Sequence, residues 1–289
     1  MGQFDEVARH IERETGDDLS HYQTSSVSGG SINTAIKLYT PQLQYFIKLN
    51  HVNLLAMFEA EAQGLQALAA TNTLRIPNVI CLGQTANNSY LVLEHIELTN
   101  LHGRASAEMG TQLAKLHQQT QPFFGWHIDN TIGSTKQYNH REHDWLTFWQ
   151  QHRLGQQLNF AAKNGYTGRL QDKGQQLLTQ LPHFFDGYDP QPALLHGDLW
   201  GGNFMVGEKG EPIIIDPAVY YGHREMDLAM SQLFGGFSSE FYTSYNKYFP
   251  LEKGWQKRMD YCNLYPLLVH VNLFGGGYAA SVSSIISRF

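Results

Sequence analysis

The chain has 289 residues, of which 42% are hydrophobic and 16% charged, and its formal net charge at pH 7 is −6. This composition is typical of a globular protein with one large or two modest cores, and it excludes a disordered chain. The negative net charge disfavours a general nucleic-acid binder, which normally presents a basic surface. The late apolar stretch LLVHVNLFGGGYAA is too short and too polar to span a membrane. We therefore expect neither nucleic acid nor a membrane as a partner.

The N-terminus and the cysteines predict the compartment. The first residues, MGQFDEVARHIERETG, are polar and charged, unlike a secretory signal peptide. Cys81 and Cys262 are far apart and form no CxxC pair, which argues against a zinc ribbon or a redox dithiol. We expect a cytoplasmic protein with two reduced thiols, present as a monomer or a weak dimer.

The pattern of predicted elements changes near residue 97. Before it, short β-type runs such as TAIKLY, LQYFIKLN and SYLVLEHI are separated by turn residues, and one helical stretch interrupts them. After it, helical periods dominate. The sequence predicts an α+β, two-lobed fold. Residues 1–97 would form a small antiparallel sheet with one main helix, and residues 98–289 a larger, mostly helical lobe.

A carboxylate interrupts the apolar face of the helix predicted over residues 53–70. Leu54 and Phe58 belong to a stripe of apolar residues at helical spacing, and Glu61 lies inside that stripe. A buried carboxylate needs a cation, because an unpaired buried charge costs several kcal/mol. Lys48, in the apolar strand before the helix, is the nearest candidate. The pattern suggests a Lys48–Glu61 ion pair, but taken alone it is more typical of a boundary glutamate that reaches solvent.

Three polar residues surround a predicted hairpin in the second half of the chain. The stretch LLHGDLWGGNFMV places Asp198 and Asn203 five positions apart, and the strand IIID ends in Asp216. Each alone could be an ordinary turn former. Together they bring two carboxylates and an amide to one end of a hairpin, and such oxygen ligands suit Mg²⁺.

The order of these features is that of a kinase. Gly29 and Gly30 lie between two strand-like runs, where glycines let backbone N–H groups approach an anion, although such a pair is often only a turn. Lys48, Glu61 and then the polar residues of the second half follow. Kinases use this order, and they share the five-residue offset of the catalytic-loop aspartate and asparagine. The sequence therefore predicts ATP-dependent phosphoryl transfer.

Several motifs are more specific. HGDLWGGN, followed by IDPAVYYGHREMDLAM, resembles the fructosamine kinase family, within the aminoglycoside phosphotransferase-like branch of the protein-kinase-like fold. FFGWHIDNTIGSTKQYN resembles a middle segment of that family, and the resemblance covers nearly the whole chain. It implies ATP- and Mg²⁺-dependent phosphorylation of the sugar 3-hydroxyl of ketosamines. The acceptors would be fructosamine, ribulosamine or erythrulosamine adducts of small-molecule or protein amines, and the reaction would lead to deglycation.

The resemblance also implies roles for individual residues. Asp198 would be the base, Asn203 and Asp216 would hold Mg²⁺, and Lys48, held by Glu61, would bind the ATP phosphates. The further residues that the resemblance assigns to ATP are Gly29, Gly30 and Ser31 in the nucleotide loop and Glu94, His95 and Ile96 in the interlobe hinge.

Three residues near the base receive other roles. Trp200 would either stack on a sugar face or pack the loop, and His196 is also expected at the substrate. Asp227, on the helix after GHRE, is expected to brace the catalytic loop rather than to do chemistry.

Other activities stay open at this point. An aminoglycoside-type phosphotransferase would share every core residue, and the middle segment argues for ketosamines instead. A pseudokinase is disfavoured by the intact Lys48, Asp198, Asn203 and Asp216. The histidines suggest a metallohydrolase, but the sequence has no HExxH, and the NHREHDW stretch is typical of solvated histidines.

Overall fold

The computed structural model describes residues 4–28, 32–99 and 104–289. Gly29, Gly30 and Ser31, assigned above to the nucleotide loop, lie outside these ranges. Within them, no helix combines the length and the apolar character that crossing a membrane requires. Both cysteines are free and buried.

The N-terminal region contains one five-stranded antiparallel sheet with the strand order β1-β2-β3-β5-β4. Its strands are β1 (Gln23–Val27), β2 (Thr34–Tyr39), β3 (Gln44–His51), β4 (Val79–Gln84) and β5 (Asn88–Glu94). Side chains alternate between the two faces of β3, so Ile47 and Leu49 enter one core while Lys48 points to the other side.

A helix that the sequence pattern did not predict covers one face of this sheet. Helix α1 (Asp5–Thr15) buries Val7, Ala8 and Ile11 against that face, and it ends at Gly16, whose φ of +79° suits a glycine cap. The sheet therefore has a helix on each face, and the first one closes a small separate core.

Helix α2 (Leu55–Ala70) covers the opposite face and buries Phe58, as predicted. Leu54 was expected on the same buried stripe, but it is 41% exposed. The difference arises because Leu54 lies in a 3₁₀ turn before the helix, where residues do not follow the 3.6-residue period. Farther along, Gly64 lets α2 approach the chain after Asp216, since a Cβ there would lie 3.0 Å from Val219 Cγ2.

The remainder of the chain is mostly helical. Its helices are α3 (Ala105–Leu116), α4 (Trp145–Phe148), α5 (Gly155–Lys163), α6 (Arg169–Gln180), α7 (Glu225–Met230), α8 (Ser239–Tyr248), α9 (Trp255–Phe274) and α10 (Tyr278–Ile286). Between α4 and α5 the chain forms a π-helical turn over Trp149–Leu154. Arg153, within that turn, is buried over the Tyr220 ring at 4.0 Å.

Short strands of this region form three two-stranded antiparallel sheets. They pair β6 (Asn130–Ile132) with β7 (Thr135–Gln137), β8 (Ala193–Leu195) with β11 (Tyr220–Gly222), and β9 (Phe204–Val206) with β10 (Pro212–Ile214). The β9–β10 hairpin is the one predicted from the sequence. One large core extends from α2 and the inner face of the N-terminal sheet through the helical region, so the elements that carry the candidate site pack against a common interior.

Candidate active site

Lys48 joins the two halves of the chain through two carboxylates. Its Nζ donates to Glu61 Oε1 at 2.5 Å and to Asp216 Oδ1 at 2.6 Å. Burial alone would lower the pKa of Lys48, but the charges of Glu61 and Asp216 outweigh burial and raise it, so the lysine stays charged. The predicted ion pair with Glu61 is therefore present, and it includes a second carboxylate that lies 168 residues away in sequence.

The backbone of residues 196–203, called the catalytic loop, depends on a glycine. Gly197 has a φ of +83°, and a Cβ there would lie 2.0 Å from the carbonyl oxygen of Ala218. The adjacent His196 carbonyl accepts the Ala218 N–H at 2.9 Å. A side chain at position 197 would push the two segments apart, which explains in physical terms why the HGD triplet has glycine at its centre.

Asp227 holds this loop through its backbone N–H groups. Its carboxylate accepts the backbone N–H groups of His196 at 2.7 Å and of Gly197 at 2.9 Å. His117 lies 3.2 Å from the same carboxylate and 2.8 Å from the hydroxyl of Tyr245. Asp227 is buried, and these contacts match the bracing role expected of it.

His196 does not lie where a substrate residue should. Its side chain is fully buried. The Nε2 atom donates to the carbonyl of Ile215 at 2.8 Å, and Nδ1 accepts the N–H of Asp198 at 3.3 Å. Both ring nitrogens are thus used inside the protein, and burial lowers the pKa of the ring. The expected substrate contact is corrected: His196 ties the catalytic loop to the chain that precedes Asp216.

Asp198 and Asn203 meet across the turn between them. Asn203 Nδ2 donates to the Asp198 carbonyl at 2.8 Å and to its Oδ2 at 3.3 Å. Burial, and next the negative charge of Asp216, raise the pKa of Asp198 to about 7. A carboxylate with such a pKa can accept a proton near neutral pH, which is the property a general base needs.

Asn203 and Asp216 lie next to each other, with Asn203 Nδ2 3.5 Å from the Asp216 carbonyl oxygen. The hydrogen bonds that Asn203 makes through its side chain all leave from Nδ2, so Oδ1 is not engaged by any residue that the structure describes. The Asp216 side chain is 45% exposed and only its Oδ1 is bonded to Lys48. Its φ of +55° lies in the left-handed region, at the turn that follows β10. The pair fits the oxygen coordination that Mg²⁺ prefers.

The hinge residues already have partners of their own. The Glu94 carboxylate accepts a hydrogen bond from the Arg75 guanidinium, and His95 Nε2 lies 3.2 Å from Glu97 Oε1. Residues 94–96 are half-buried. The side chains of Glu94 and His95 are thus occupied, and the resemblance implies that the backbone of this hinge bonds adenine. That assignment stays a prediction.

Trp200 lies at the exposed edge of the catalytic loop. It is 37% exposed, and a Cβ on Gly202 would lie 2.3 Å from its indole ring. One side of the ring is therefore packed on the glycine of its own loop, and the other edge meets Phe234. Packing of the loop and contact with a ligand are compatible in this position.

A buried amide network beside the site was not predicted. Gln137 Nε2 donates to Asn130 Oδ1 at 2.8 Å and to the Ala218 carbonyl at 3.0 Å. Asn130 Nδ2 donates to the Val219 carbonyl, and Tyr265 donates to Gln137 Oε1, both at 2.8 Å. The middle segment thus holds the backbone two and three residues after Asp216. The only available signal was that both amides lie in the middle segment FFGWHIDNTIGSTKQYN.

The chain is similar to known proteins over nearly its whole length. The family model described as fructosamine kinase matches residues 3–289. A protein of Synechocystis assigned as a ketoamine kinase is 43% identical over 283 residues, which cover 98% of this chain and 95% of that protein. The chloroplastic protein-ribulosamine 3-kinase of Arabidopsis thaliana is 42% identical over 267 residues, covering 91% and 81% of the two chains.

Solved structures extend the comparison. A crystal structure from Haemophilus somnus, assigned as a fructosamine-3-kinase, has a TM-score of 0.89 at 27% identity and covers 98% of this chain and 96% of that one. A thermostable mutant of an aminoglycoside phosphotransferase has a TM-score of 0.63 at 15% identity, with 98% and 99% of the two chains covered, so that likeness shows the fold alone. Both confirm the predicted kinase-like α+β fold. The resemblance drawn from the motifs is confirmed as well, and the chain belongs to the fructosamine kinase family.

Proposed function

We propose that this protein is an ATP-dependent kinase that phosphorylates the 3-hydroxyl of the sugar in ketosamines. The observation that carries the proposal is the buried Lys48, which bonds both Glu61 and Asp216 while Asp198 and Asn203 meet beside it. Family membership supplies the acceptor class, since relatives are named as ketoamine and protein-ribulosamine kinases. Residues 1–97 serve as the nucleotide lobe and residues 98–289 as the substrate lobe.

In the reaction, the oxygen of the sugar hydroxyl attacks the γ-phosphorus of ATP while the bond to the β–γ bridging oxygen breaks, and ADP leaves. The proton of the hydroxyl passes to Asp198. Lys48 binds the phosphates and balances their charge, and Glu61 keeps its ammonium in place. Because little covalent chemistry falls to the protein, catalysis depends on positioning and on charge stabilisation.

Asn203 and Asp216 would hold Mg²⁺ through Oδ1 and the carboxylate. When bound, the ion neutralises charge on the phosphate oxygens. The chain's own contribution is the rigid placement of these two ligands. Asn203 is fixed by its bonds to Asp198, and Asp216 is fixed by Lys48 on one side and by the backbone turn on the other. We place the activity in the cytoplasm, on free or protein-linked ketosamines.

The test is an ADP-release assay with Mg-ATP and the ribulose or fructose adduct of lysine, with kanamycin in a parallel reaction. Turnover on the ketosamine and none on kanamycin would support the proposal. Turnover on kanamycin alone would replace it with an antibiotic phosphotransferase. Product analysis by NMR should place the new phosphate on the 3-hydroxyl.

Asp198→Asn is the control for chemistry. It should keep nucleotide binding and lose turnover by at least about a hundredfold, as expected when a positioned base is removed. Asp186→Asn, in the turn that follows Phe185, is the matched surface control and should behave as the wild type. Equal turnover by the wild type and Asp198→Asn would assign the base to another residue.

A further inference from the structure

A strip of aromatic side chains continues outward from the catalytic loop. Trp200 meets Phe234 edge-on with ring centroids 6.1 Å apart, and Phe234 lies 4.8 Å from His270 and 6.3 Å from Tyr278. Phe274 extends the strip, 5.7 Å from His270 and 6.5 Å from Tyr278. These five side chains, from the catalytic loop, the chain after α7, and helices α9 and α10, are called the aromatic strip below.

Three aromatic side chains of the strip are exposed to solvent, although such large hydrophobic side chains are usually buried. Trp200 is 37% exposed, Phe234 44% and Phe274 56%. Over the described ranges, these are three of the six large hydrophobic side chains found exposed. Scattered exposed hydrophobic residues are normal, whereas a cluster of them marks a surface that binds something. Because Trp200 belongs both to the strip and to the catalytic loop, the surface is continuous with the candidate active site.

Phe234 is held in a backbone conformation that phenylalanine rarely adopts. Its φ is +56°, in the left-handed region. Of the residues that the structure describes, only Asn72 and Asp216 share a positive φ without being glycine. Asparagine tolerates this region, and Asp216 belongs to the candidate site. Burial of the Phe234 side chain does not offset this strain, because the side chain stays largely exposed. Strain kept beside an active site points to a functional requirement for that side chain.

We propose that the aromatic strip binds the part of the ketosamine that carries the amine, with Trp200 at the junction with the sugar. This inference rests on the proposed function. The occupant is a hydrocarbon chain ending in a protonated secondary amine, as in a glycated lysine side chain. Aromatic rings bind the methylenes through apolar contact and the ammonium through cation–π attraction.

His270 gives the strip a polar contact suited to this occupant. Its Nδ1 donates to the Pro266 carbonyl at 2.8 Å, because a carbonyl oxygen can only accept. In the neutral ring Nε2 is then an acceptor, and no hydrogen bond joins it to the part of the chain that the structure describes. The main-chain amide of the lysine, at the far end of its methylenes from the sugar, presents an N–H donor to such an atom, so the strip combines apolar faces with one acceptor.

The test compares two acceptors that share the sugar and differ only in the amine carrier. These are the ribulose adducts of methylamine and of Nα-acetyl-lysine amide. In Phe234→Gly and Phe274→Ala, kcat/KM for the lysine adduct should fall roughly tenfold, as for a lost hydrophobic specificity contact. For the methylamine adduct it should stay within about twofold of the wild type, since the reacting sugar is unaffected.

Stability measurements separate binding from folding. Glycine adopts a positive φ without strain, so Phe234→Gly should have a Tm no lower than the wild type. Tyr248→Ala is the matched control, because this aromatic side chain is also 45% exposed but lies on α8, outside the strip. It should leave both adducts unchanged.

Three results would overturn the inference alone while the wild type still phosphorylates ketosamines. Both adducts could lose activity equally in the strip variants, the two variants could keep the wild-type preference, or Phe234→Gly could lower the Tm without changing that preference. If the wild type releases ADP with neither adduct, the proposed function fails and this inference fails with it.

Discussion

Two buried ion clusters in this molecule differ in how their charges balance. Arg258 donates to both oxygens of Glu225, at 2.8 and 2.7 Å, and to the carbonyl of Lys253 at 3.0 Å. Glu225 is fully buried, and Arg258 nearly so. Here one cation meets one carboxylate in a closed, bidentate arrangement, which is the geometry in which a buried pair is well satisfied.

The cluster around Lys48 is neither balanced nor closed. One ammonium meets two carboxylates, and Asp198 adds a third acidic group whose pKa is raised by burial and by Asp216. Asp216 is also open to solvent. Both clusters contain buried charges, so burial of charge does not by itself mark a functional site. A cluster that carries more charge of one sign than of the other and is open to solvent does mark such a site. Its excess charge can still attract a ligand of the opposite sign.

The largest effect is expected from breaking the balanced pair. Arg258→Met should leave Glu225 charged and unpaired in the core and lower the free energy of unfolding by about 3–5 kcal/mol. The exposed pair of Arg288 and Asp260, with side chains 55% and 39% exposed, provides the control. Arg288→Met should cost less than about 1 kcal/mol. Urea unfolding measures both, and equal losses would contradict the distinction between closed and open pairs.

The unbalanced cluster should respond in the opposite way. Asp216→Asn removes one of the competing negative charges, and asparagine tolerates the positive φ at this position. Folding stability should stay equal or rise, while kcat falls by about a hundredfold to a thousandfold, as for other lost electrostatic contributions to catalysis. Unfolding and ADP-release measurements on the same preparation decide this. A stability loss as large as that of Arg258→Met would mean that Asp216 is a structural residue.

A histidine next to the balanced pair makes stability depend on pH. Burial lowers the pKa of His223 well below its ordinary value, and nearby Arg258 and Arg224 lower it further. The unfolded chain therefore takes up the proton first, so the contribution is complete above about pH 6.5 and is lost on acidification at about 1.4 kcal/mol per pH unit. Urea unfolding between about pH 7.5 and 5.5 measures this slope. His223→Gln should reduce it, and an unchanged slope would show that other groups cause it.

The smallest effect is expected in the uncharged network. Tyr265→Phe removes the hydroxyl that donates to Gln137 Oε1 at 2.8 Å and should cost about 1 kcal/mol of unfolding free energy. Activity should fall only a few-fold at most, because Gln137 keeps its bonds to Asn130 and to the Ala218 carbonyl. Tyr248→Phe is the matched control at an exposed position. If Tyr265→Phe lost more activity than Asp216→Asn, the amide network would have to be part of the active site.

The sequence predicted those features that follow from local periodicity. Glu61 stood out because it interrupts an apolar helical stripe, and Lys48 because it interrupts an apolar strand. Asp198 and Asn203 stood out by their spacing. The first two signals lie within one helix and one strand, where side-chain direction follows from the period, and the third lies within one loop.

What the sequence did not predict depends on contacts between distant segments. The burial of His196 follows from the Ile215 carbonyl that its ring bonds, and the amide network follows from strands that meet the chain after Asp216. The positive φ of Phe234 could not be predicted, because no residue type in that stretch indicates it. The prediction that Leu54 is buried was wrong for a local reason. Leu54 lies in the 3₁₀ turn before α2, which does not follow the 3.6-residue period of an α-helix.

The π-helical turn over Trp149–Leu154 restricts how this segment can change in evolution. A π turn inside an α-helix takes up one extra residue, so removing one residue there would restore an α-helical turn and keep α5 in register. A deletion elsewhere in α4 or α5 would instead rotate everything beyond it by about 100° and shift it by about 1.5 Å. The π turn carries Arg153, whose guanidinium lies 4.0 Å from the centre of the Tyr220 ring. Among relatives, a one-residue deletion in this helix should therefore fall in the π turn and accompany a change at this contact.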